Sequence, residues 1–332
     1  MVNPIVSVIC PIRNEKKHIQ NCLESIIGQD FPAEDIEILV VDGMSDDGTR
    51  NIVEKFAAIR KNVFLFDNPG EIAPSAMNIG IKKAKGKIIV RIDGHCYLEK
   101  TFITKSLKLL ERVKDADCVG GPIITVSKGY VPESISMSMS SPFGVGDARF
   151  RYSRKEGYVD TLAFGAYRRQ VFDRIGLFDE ELVRNQDDEF NLRLIKSGGK
   201  IFLSPEIKSY YYSRLTLIGL WKQYFQYGFW KVCVIQKHRF PASWRHLVPG
   251  AFILSLICSF ILAFFVSIKF FFFFGILTIY LITSFFNSFF LSFKNGWKYL
   301  PLLPVVFAIL HFSYGFGFLT GLVKFFPRMF RS

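Results

Sequence analysis

The sequence is unusual in the acidic residues it lacks, since no Asp or Glu follows Glu206 in a chain of 332 residues. The remaining 126 residues carry 13 Lys and Arg, so the entire formal net charge of +13 arises there and residues 1–206 are electroneutral. An electroneutral first part argues against nucleic acid as the main ligand, because such binding depends on neutralising phosphates. A basic, aromatic and apolar second part indicates contact with an anionic membrane surface.

Several common motifs are also missing. The six cysteines form no CxxC pair, which favours reduced thiols in a cytosol-facing protein over a disulfide framework or a zinc site. No basic segment with a cleavage site precedes the first strand-like run, so we expect the N-terminal part to stay in the cytosol. Neither GxGxxG after that strand nor GxxxxGK[ST] anywhere is present, which argues against a dehydrogenase and a P-loop nucleotidase.

What is present is a regular alternation of strands and helices over the first hundred residues. Short β-branched runs predict strands, and apolar residues at helical spacing predict helices between them. The first strand is expected to stop at Pro11. This alternation predicts an α/β fold with a parallel, doubly wound sheet. The predicted strands lie at 6–10, 36–41, 63–66 and 87–92.

Two of these strands end in a lone carboxylate, Asp42 and Asp93. Ligands of open α/β sheets bind at the carboxyl ends of the strands, so a pair of acids there predicts a ligand crevice. His95 follows Asp93 closely, and the two side chains could share a divalent cation that serves as counter-charge to a sugar-nucleotide diphosphate. The alternative is a polar β-turn without chemistry, because the Asp93-Gly94 pair is typical of turns.

Two later stretches also leave alternatives open. A Ser/Met/Gly-rich tract at 134–146, followed by a basic run at 149–154, predicts a long loop that either covers the substrate or is merely a mobile surface segment. Asn185 is suited to cap a helix whose first turn carries Asp187, Asp188 and Glu189. These acids either stabilise the helix dipole or provide a general base.

From residue 208 onward, aromatic and basic residues alternate, which predicts membrane-interface helices over 208–246. The same texture could stack nucleobases, but the apolar spans that follow favour the membrane. Those spans are predicted at 248–268, 270–293 and 300–323, with Lys269 at the far surface.

The third span contains Pro301, Pro304 and several glycines. It could therefore be a full crossing, a re-entrant segment or a broken pair of half-spans. A full crossing would place the C-terminal Lys324, Arg328 and Arg331 outside, against the positive-inside tendency. His311 is expected to be packed or hydrogen-bonded inside the bundle rather than to serve as a relay.

Four segments together resemble the family 2 glycosyltransferases of GT-A fold, namely 6–15, 40–49, 92–95 and 185–194. Within that family the chain is similar to the membrane-anchored succinoglycan-biosynthesis branch, which also carries a His in the metal motif. The segments 141–146, 164–169 and 223–228 are similar to that branch as well.

The resemblance implies a GT-A (Rossmann-like) domain over 1–207, which the composition of the later residues extends by interface helices at 208–246 and a transmembrane region over 247–332. It also implies a multi-pass protein of the inner membrane with its catalytic domain on the cytosolic face. The oligomeric state is left open.

The resemblance also assigns roles to individual positions. It implies that Asp187 is the general base, and that Mg²⁺ or Mn²⁺ binds at Asp93 and His95. The donor nucleotide would be bound by Pro11, Glu15, Asp42 and Asp93. The acceptor side would be formed by Gly165, Arg168, Gln223 and Tyr227.

The chain departs from the family pattern at three positions. His95 stands in place of a carboxylate, Gln186 in place of the Glu of the Glu-Asp pair, and Met77 where Arg is common. The absence of Gln-x-x-Arg-Trp argues against a processive polysaccharide synthase.

The implied function is inverting, metal-dependent transfer of a hexose from a nucleotide-diphosphate sugar, UDP-glucose or a similar donor. The acceptor would be a membrane-bound, polyprenyl-diphosphate-linked saccharide in exopolysaccharide or cell-surface glycan synthesis. The alternatives are a polyprenyl-phosphate glycosyltransferase and a non-catalytic membrane scaffold that retains the fold.

Overall fold

The computed structural model describes residues 3–265 and 270–329, with side chains up to 325. Lys269, Arg331 and the Arg328 side chain, all considered above, lie outside the described part. The chain divides into two compact units. The first contains residues 1–125 and 149–212, and the second contains residues 126–148 and 213–332. The predicted domain 1–207 is thus interrupted by a segment that belongs to the second unit.

The first unit alternates strands and helices as the sequence pattern predicts. Its strands are β1 Val6–Ile12, β2 Ile36–Asp42, β3 Val63–Asp67, β4 Ile88–Arg91, β5 Cys96–Leu98, β6 Cys118–Gly120, β7 Ile123–Val126, β8 Gly157–Val159, β9 Gly165–Arg168, β10 Ile201–Leu203 and β11 Ser209–Tyr212. Its helices are α1 Ile19–Ile27, α2 Thr49–Ile59, α3 Ala73–Lys83, α4 Phe102–Arg112, α7 Gln170–Ile175 and α8 Gln186–Lys196, while α5 Tyr130–Met139 and α6 Pro142–Val145 belong to the second unit.

The main sheet has eight strands in the order β3-β2-β1-β4-β9-β6-β10-β8, and β5, β11 and β7 form a smaller sheet. The first four strands are parallel to one another. Strand β9 runs antiparallel to both β4 and β6, and β8 runs antiparallel to β10. The four strands predicted as parallel are therefore confirmed, while the later strands make the sheet mixed. Those later strands are too short and too weakly patterned for the sequence to reveal their direction.

Helices cover both faces of the main sheet, which explains why its central strands are apolar on both sides. Val8, Val90 and Ile92 pack on the face that includes α1. Ile9 and Ile89 pack on the face that includes α3 and α8. Because side chains alternate along a strand, Arg91 belongs to the same face as Ile89 and therefore to the side of α8.

Strand β1 continues through Pro11 to Ile12 rather than stopping at the proline. The Ile9 carbonyl accepts a hydrogen bond from Ile92, so residues 9 and 11 face β4. The ladder with β4 has its last pair at Ile9 and Arg91, and Pro11 lies beyond it. The proline therefore removes no ladder hydrogen bond, which is the condition under which it is tolerated in a strand.

The second unit is built from helices. Besides α5 and α6 it contains α9 Leu217–His238, α10 Val248–Leu262, α11 Phe271–Asn295 and α12 Leu303–Met329. Within the part of the chain that the structure describes, three segments are long and apolar enough to cross a membrane: Trp244–Leu262, Phe271–Asn295 and Leu303–Phe325. They correspond to the three predicted spans.

The third span is one continuous helix, α12, so a broken pair of half-spans was the wrong alternative. Pro304 stands in its first turn, where a missing N–H costs nothing. Its glycines allow close packing instead of interrupting the helix. A Cβ at Gly317 or Gly321 would collide with the carbonyl oxygens of Phe225 or Phe229 in α9.

The Ser/Met/Gly-rich tract predicted as a loop forms the short helices α5 and α6. Ile135 and Met139 are buried in a cluster with Phe307 and Leu310 of α12. The residues that flank the tract are the acids of the second unit. Tyr299 donates a hydrogen bond to Glu133, and Asp147 lies 2.7 Å from Arg245.

Candidate active site

The candidate site lies at the carboxyl edge of β1, β2 and β4. The register pairs Ile12 with Asp42 and Ile9 with Arg91, so the loops after all three strands leave from the same edge. Gly94 lies in the loop after β4, where a Cβ would come within 3.0 Å of Glu15 and still closer to Ile12. The loops after β1 and β4 are therefore in direct contact, and only a glycine fits at that point.

Hydrogen bonds fasten the loop after β1 to the loop after β2. Asn14, in a left-handed conformation with φ of 56°, donates its N–H to Ser45 Oγ at 2.9 Å. Ser45 Oγ in turn donates to Asp42 at 2.5 Å, and Arg50 lies 3.5 Å from the other oxygen of that acid. The Asp42 carboxylate is fully buried, so its charge is balanced inside the loop network rather than by solvent.

His95 is held by an acid from the neighbouring loop. Its Nδ1 lies 2.7 Å from Glu15 Oε1, and both side chains are largely buried. Its ring packs edge-on against Tyr211 at 5.3 Å. A carboxylate on one imidazole nitrogen fixes the tautomer and the ring orientation, as is usual for histidines that ligate a metal through the other nitrogen.

Arg91 connects two of the predicted acids. The guanidinium donates from Nε to Asp93 Oδ1 at 3.1 Å and from Nη2 to Asp93 Oδ2 at 3.4 Å. Its Nη1 lies 3.9 Å from Asp187 Oδ2. Burial lowers the pKa of Arg91, but Asp93 and Asp187 outweigh it and hold that pKa above its ordinary value. The side chain is therefore a fixed cation between two carboxylates from different parts of the chain.

Asp187 reaches this edge because α8 begins there. Asn185 is the N-cap residue of α8 as predicted, in a left-handed conformation with φ of 62°, but its side chain makes no capping hydrogen bond. The buried Asn191 anchors the next turn, since it accepts from Tyr167 Oη at 2.8 Å and donates to Thr161 Oγ1 at 2.8 Å. These contacts fix the orientation in which α8 presents Asp187.

The predicted acceptor-side residues fall in different places. Gly165 begins β9, where a Cβ would approach Cys118 Sγ to 2.5 Å. Arg168 pairs with Ile88, at the opposite end of β4 from Asp93, and its guanidinium donates to the carbonyls of Leu110 and Ala116. This position does not favour an acceptor role for Arg168, which stays a prediction. Gln223 and Tyr227 belong to α9 of the second unit, where Gln223 donates to Tyr227 Oη at 2.9 Å.

Sequence reasoning assigned no role to Arg91, Tyr167 or Asn191. Arg91 carries a detectable signal, because a charged residue inside an apolar strand run needs a buried partner. Tyr167 and Asn191 carry none, since their pairing depends on how β9 and α8 meet.

The donor set near Asp93 suits a divalent cation. A carboxylate oxygen and an imidazole nitrogen are ligands that Mn²⁺ accepts, and Glu15 supplies the carboxylate that orients such a histidine. Within the described residues no three His, Cys, Asp or Glu side chains form a ready cluster. Asp93 and His95 would thus supply only part of the ligands of a cation, and Mg²⁺ and its relatives commonly complete their coordination with water and substrate phosphates.

A mixed sheet with acids at the carboxyl edge of its parallel strands is the arrangement expected of a glycosyltransferase of GT-A fold. The chain belongs to glycosyl transferase family 2, whose model matches residues 7–176. This confirms the family and the enzyme class expected from the sequence.

Two relatives show how far the likeness extends. A Methanococcus voltae protein is 30% identical over 329 residues, covering 96% of this chain and 97% of the relative. It is named as a dolichyl N-acetyl-α-D-glucosaminyl phosphate 3-β-D-2,3-diacetamido-2,3-dideoxy-β-D-glucuronosyltransferase. The succinoglycan biosynthesis protein ExoA of Rhizobium meliloti is 27% identical over 251 residues, which is 74% of each chain. The predicted resemblance to the succinoglycan branch is thereby confirmed.

The fold recurs in solved structures. The mannosyltransferase PcManGT of Pyrobaculum calidifontis, solved with GDP-Man and Mn²⁺, has a TM-score of 0.60 at 16% identity. The likeness covers 97% of this chain and 88% of PcManGT. GalNAc-T7, solved with UDP, GalNAc and Mn²⁺, has a TM-score of 0.50 over 63% of this chain and 43% of its own. At these identities the comparison establishes the fold alone.

Proposed function

We propose that this protein transfers a hexose, with inversion, from a nucleotide-diphosphate sugar to a lipid-linked saccharide. The observation that carries the proposal is the convergence of Asp93 and Asp187 on Arg91 at the edge of the sheet. We assign Asp93 to the donor diphosphate and Asp187 to the acceptor hydroxyl, whose proton it would take.

The mechanism is a single displacement at the anomeric carbon. The acceptor oxygen forms a bond to that carbon while the bond to the diphosphate breaks, and the nucleoside diphosphate leaves with the electron pair. Asp187 takes the proton of the acceptor hydroxyl. A divalent cation bound by Asp93 and His95 would offset the charge that develops on the departing diphosphate.

The donor side is assigned to the fastened loops. The nucleoside is assigned to Pro11, Glu15 and Asp42, and the ribose and diphosphate to Asp93. UDP-glucose or a similar UDP-sugar is the proposed donor. The acceptor side is assigned to Gly165, Gln223 and Tyr227, with Arg168 as the weakest member of the set for the reason given above.

The lipid-linked acceptor is supported by the Methanococcus voltae relative. Its likeness spans the helices of the second unit as well as the catalytic unit, and its name specifies a dolichyl-linked sugar phosphate as acceptor. A polyprenyl-linked saccharide cannot leave the bilayer, so an enzyme that uses one must be held at the membrane. We accordingly place the protein in the cell membrane as a multi-pass protein, with the catalytic unit on the cytosolic side.

The test is to identify the lipid product. Membranes containing the wild type or Asp187→Asn are incubated with radiolabelled nucleotide sugars and a lipid-linked monosaccharide, and the lipids are extracted and hydrolysed with mild acid. We expect a labelled disaccharide from the wild type and none from the variant. An exposed acid of α7 provides the matched control, and Asp173→Asn should form product normally.

Two outcomes would contradict the proposal. A labelled monosaccharide formed on bare polyprenyl phosphate would identify a polyprenyl-phosphate glycosyltransferase instead. A labelled product found only in the aqueous phase would exclude a lipid acceptor.

A further inference from the structure

Arg91 is buried far more deeply than a surface ion pair requires. Its side chain is 6% exposed, whereas those of Asp93 and Asp187 are 25% and 33% exposed. Both carboxylates are thus partly exposed, whereas the guanidinium between them is not. A buried charge is retained only when it is paired, so Arg91 depends on these two acids.

The pairing is unequal. Asp93 receives two hydrogen bonds from the guanidinium, while Nη1 has no hydrogen-bond partner and lies 3.9 Å from Asp187. A charge-assisted hydrogen bond spans about 2.7–2.9 Å, so a shift of roughly 1 Å would bring Nη1 into bonding distance of Asp187. The side chain is therefore positioned to exchange one partner for the other without leaving its place in the sheet.

A cation at Asp93 would drive that exchange. The carboxylate oxygens that Arg91 now occupies are the ones a divalent cation needs. Two positive groups on one carboxylate repel each other, and the repulsion is strong where water is scarce. Asp187 is the other carboxylate within reach of the displaced guanidinium among the described contacts of Arg91.

We propose that Arg91 is a positioning residue that neutralises Asp93 until donor and cation arrive, and then shifts to Asp187. The shift fixes the carboxylate of the base only once the donor is loaded, and it imposes an order on substrate binding. In the donor-free protein Arg91 competes with the free cation for Asp93. The proposal rests on the roles given to Asp93 and Asp187 above, but not on the identity of the acceptor.

The test measures binding of Mn²⁺ alone to the full-length protein in detergent, without donor or acceptor, by the electron paramagnetic resonance of free Mn²⁺. The variant Arg91→Met keeps the length of the side chain but removes its charge. We expect it to bind Mn²⁺ at least tenfold more tightly than the wild type, and Asp93→Asn in the same background should abolish the gain. Arg112→Met, which removes an exposed arginine paired with Glu156, is the matched control and should bind Mn²⁺ as the wild type does.

A gain of affinity is a readout that loss of structure cannot produce. Equal or weaker Mn²⁺ binding by a folded Arg91→Met protein would overturn the proposal. If Arg91→Met does not fold, Arg91→Lys keeps the buried charge but loses the paired contact with Asp93, and at least a threefold gain is expected. Failure of that gain would overturn the proposal in the same way.

Kinetics provide the second readout. In Arg91→Met we expect kcat to fall by about 10–100-fold, because Asp187 is no longer held, while the KM for the donor changes less than threefold. A change confined to the donor KM would contradict the shift to Asp187. Because Mn²⁺ binding needs no acceptor, a wrong assignment of the acceptor would leave this test intact.

Discussion

The closest contacts in the two units involve different groups. At the edge of the first unit's sheet the close contacts join charged groups, such as Arg91 with Asp93 and His95 with Glu15. Between α9 and α12 of the second unit the close contacts join backbones, at Gly228, Gly317 and Gly321. The comparison teaches that changes of the partly exposed acids and His95 at the sheet edge should alter chemistry more than stability, whereas changes between the helices should do the reverse.

The sharpest test on the catalytic side is Asp187→Asn. We expect transfer to fall by roughly 10²–10⁴-fold, the usual contribution of a general base, while donor affinity stays near that of the wild type. Calorimetry of donor binding beside the transfer rate checks both. A loss of donor binding equal to the loss of rate would show that Asp187 holds the donor rather than the acceptor proton.

The next effect concerns the cation. His95→Ala should raise the Mn²⁺ concentration for half-maximal transfer at least about tenfold, and Glu15→Gln should raise it less, since Glu15 acts through the imidazole. A titration of activity against Mn²⁺ measures both variants. If neither variant changes the metal requirement, His95 is not a ligand.

The helix packing predicts the opposite pattern. Gly317→Ala would place a methyl group against the Phe225 carbonyl, so we expect a loss of about 1–3 kcal/mol in the free energy of unfolding. Gly275→Ala is the matched control, because nothing lies within 4 Å of a Cβ there. It should be neutral or slightly stabilising, by up to about 1 kcal/mol. Thermal unfolding in detergent compares the two, and equal effects would disprove close packing at α12.

The smallest effect is expected at Asp147, whose side chain is 63% exposed. Burial raises the pKa of Asp147, but the hydrogen bond and charge of Arg245 and the hydrogen bond from Ser243 outweigh it and lower that pKa below its usual value. A lowered pKa in the folded protein means that the contact stabilises above about pH 4, the value for an unperturbed Asp, and that this stability is lost as the pH falls further.

Asp147→Asn should therefore cost less than about 1 kcal/mol at pH 7, because surface ion pairs contribute little. Melting temperatures measured from pH 7 to pH 3 should converge for variant and wild type at the acid end. Parallel curves would show that this carboxylate does not contribute to the pH dependence.

The sequence predicts much of the first unit because its signals are local. Runs such as Ile36–Val41 identify strands, and an acid directly after a strand identifies the edge where ligands bind. The direction in which a strand runs depends on the strands beside it, so the antiparallel orientation of β9 could not be predicted from Gly165–Arg168 alone. The same holds for Arg91, whose partner Asp187 lies about a hundred residues away in the chain.

In the second unit the composition predicted the positions of the membrane spans but not whether each helix is continuous or how the helices pack. Pro304 and the glycines of α12 favour an interrupted segment when read alone, yet the proline falls in the first turn and the glycines face α9. The tract at 134–146 has too few large apolar residues for its sequence to predict a packed helix. Its helices pack against Phe307 and Leu310, which are more than 150 residues away in the chain and therefore leave no signal in the sequence of the tract.

The interruption of the catalytic unit by residues 126–148 has a consequence for engineering. Ending the gene at Tyr212 would not release a water-soluble enzyme. Ile135 and Met139 would lose helix α12, which covers them, and would form an exposed apolar patch prone to aggregation. A separate catalytic unit therefore requires two changes: truncation after Tyr212, and replacement of residues 126–148 by a short polar linker.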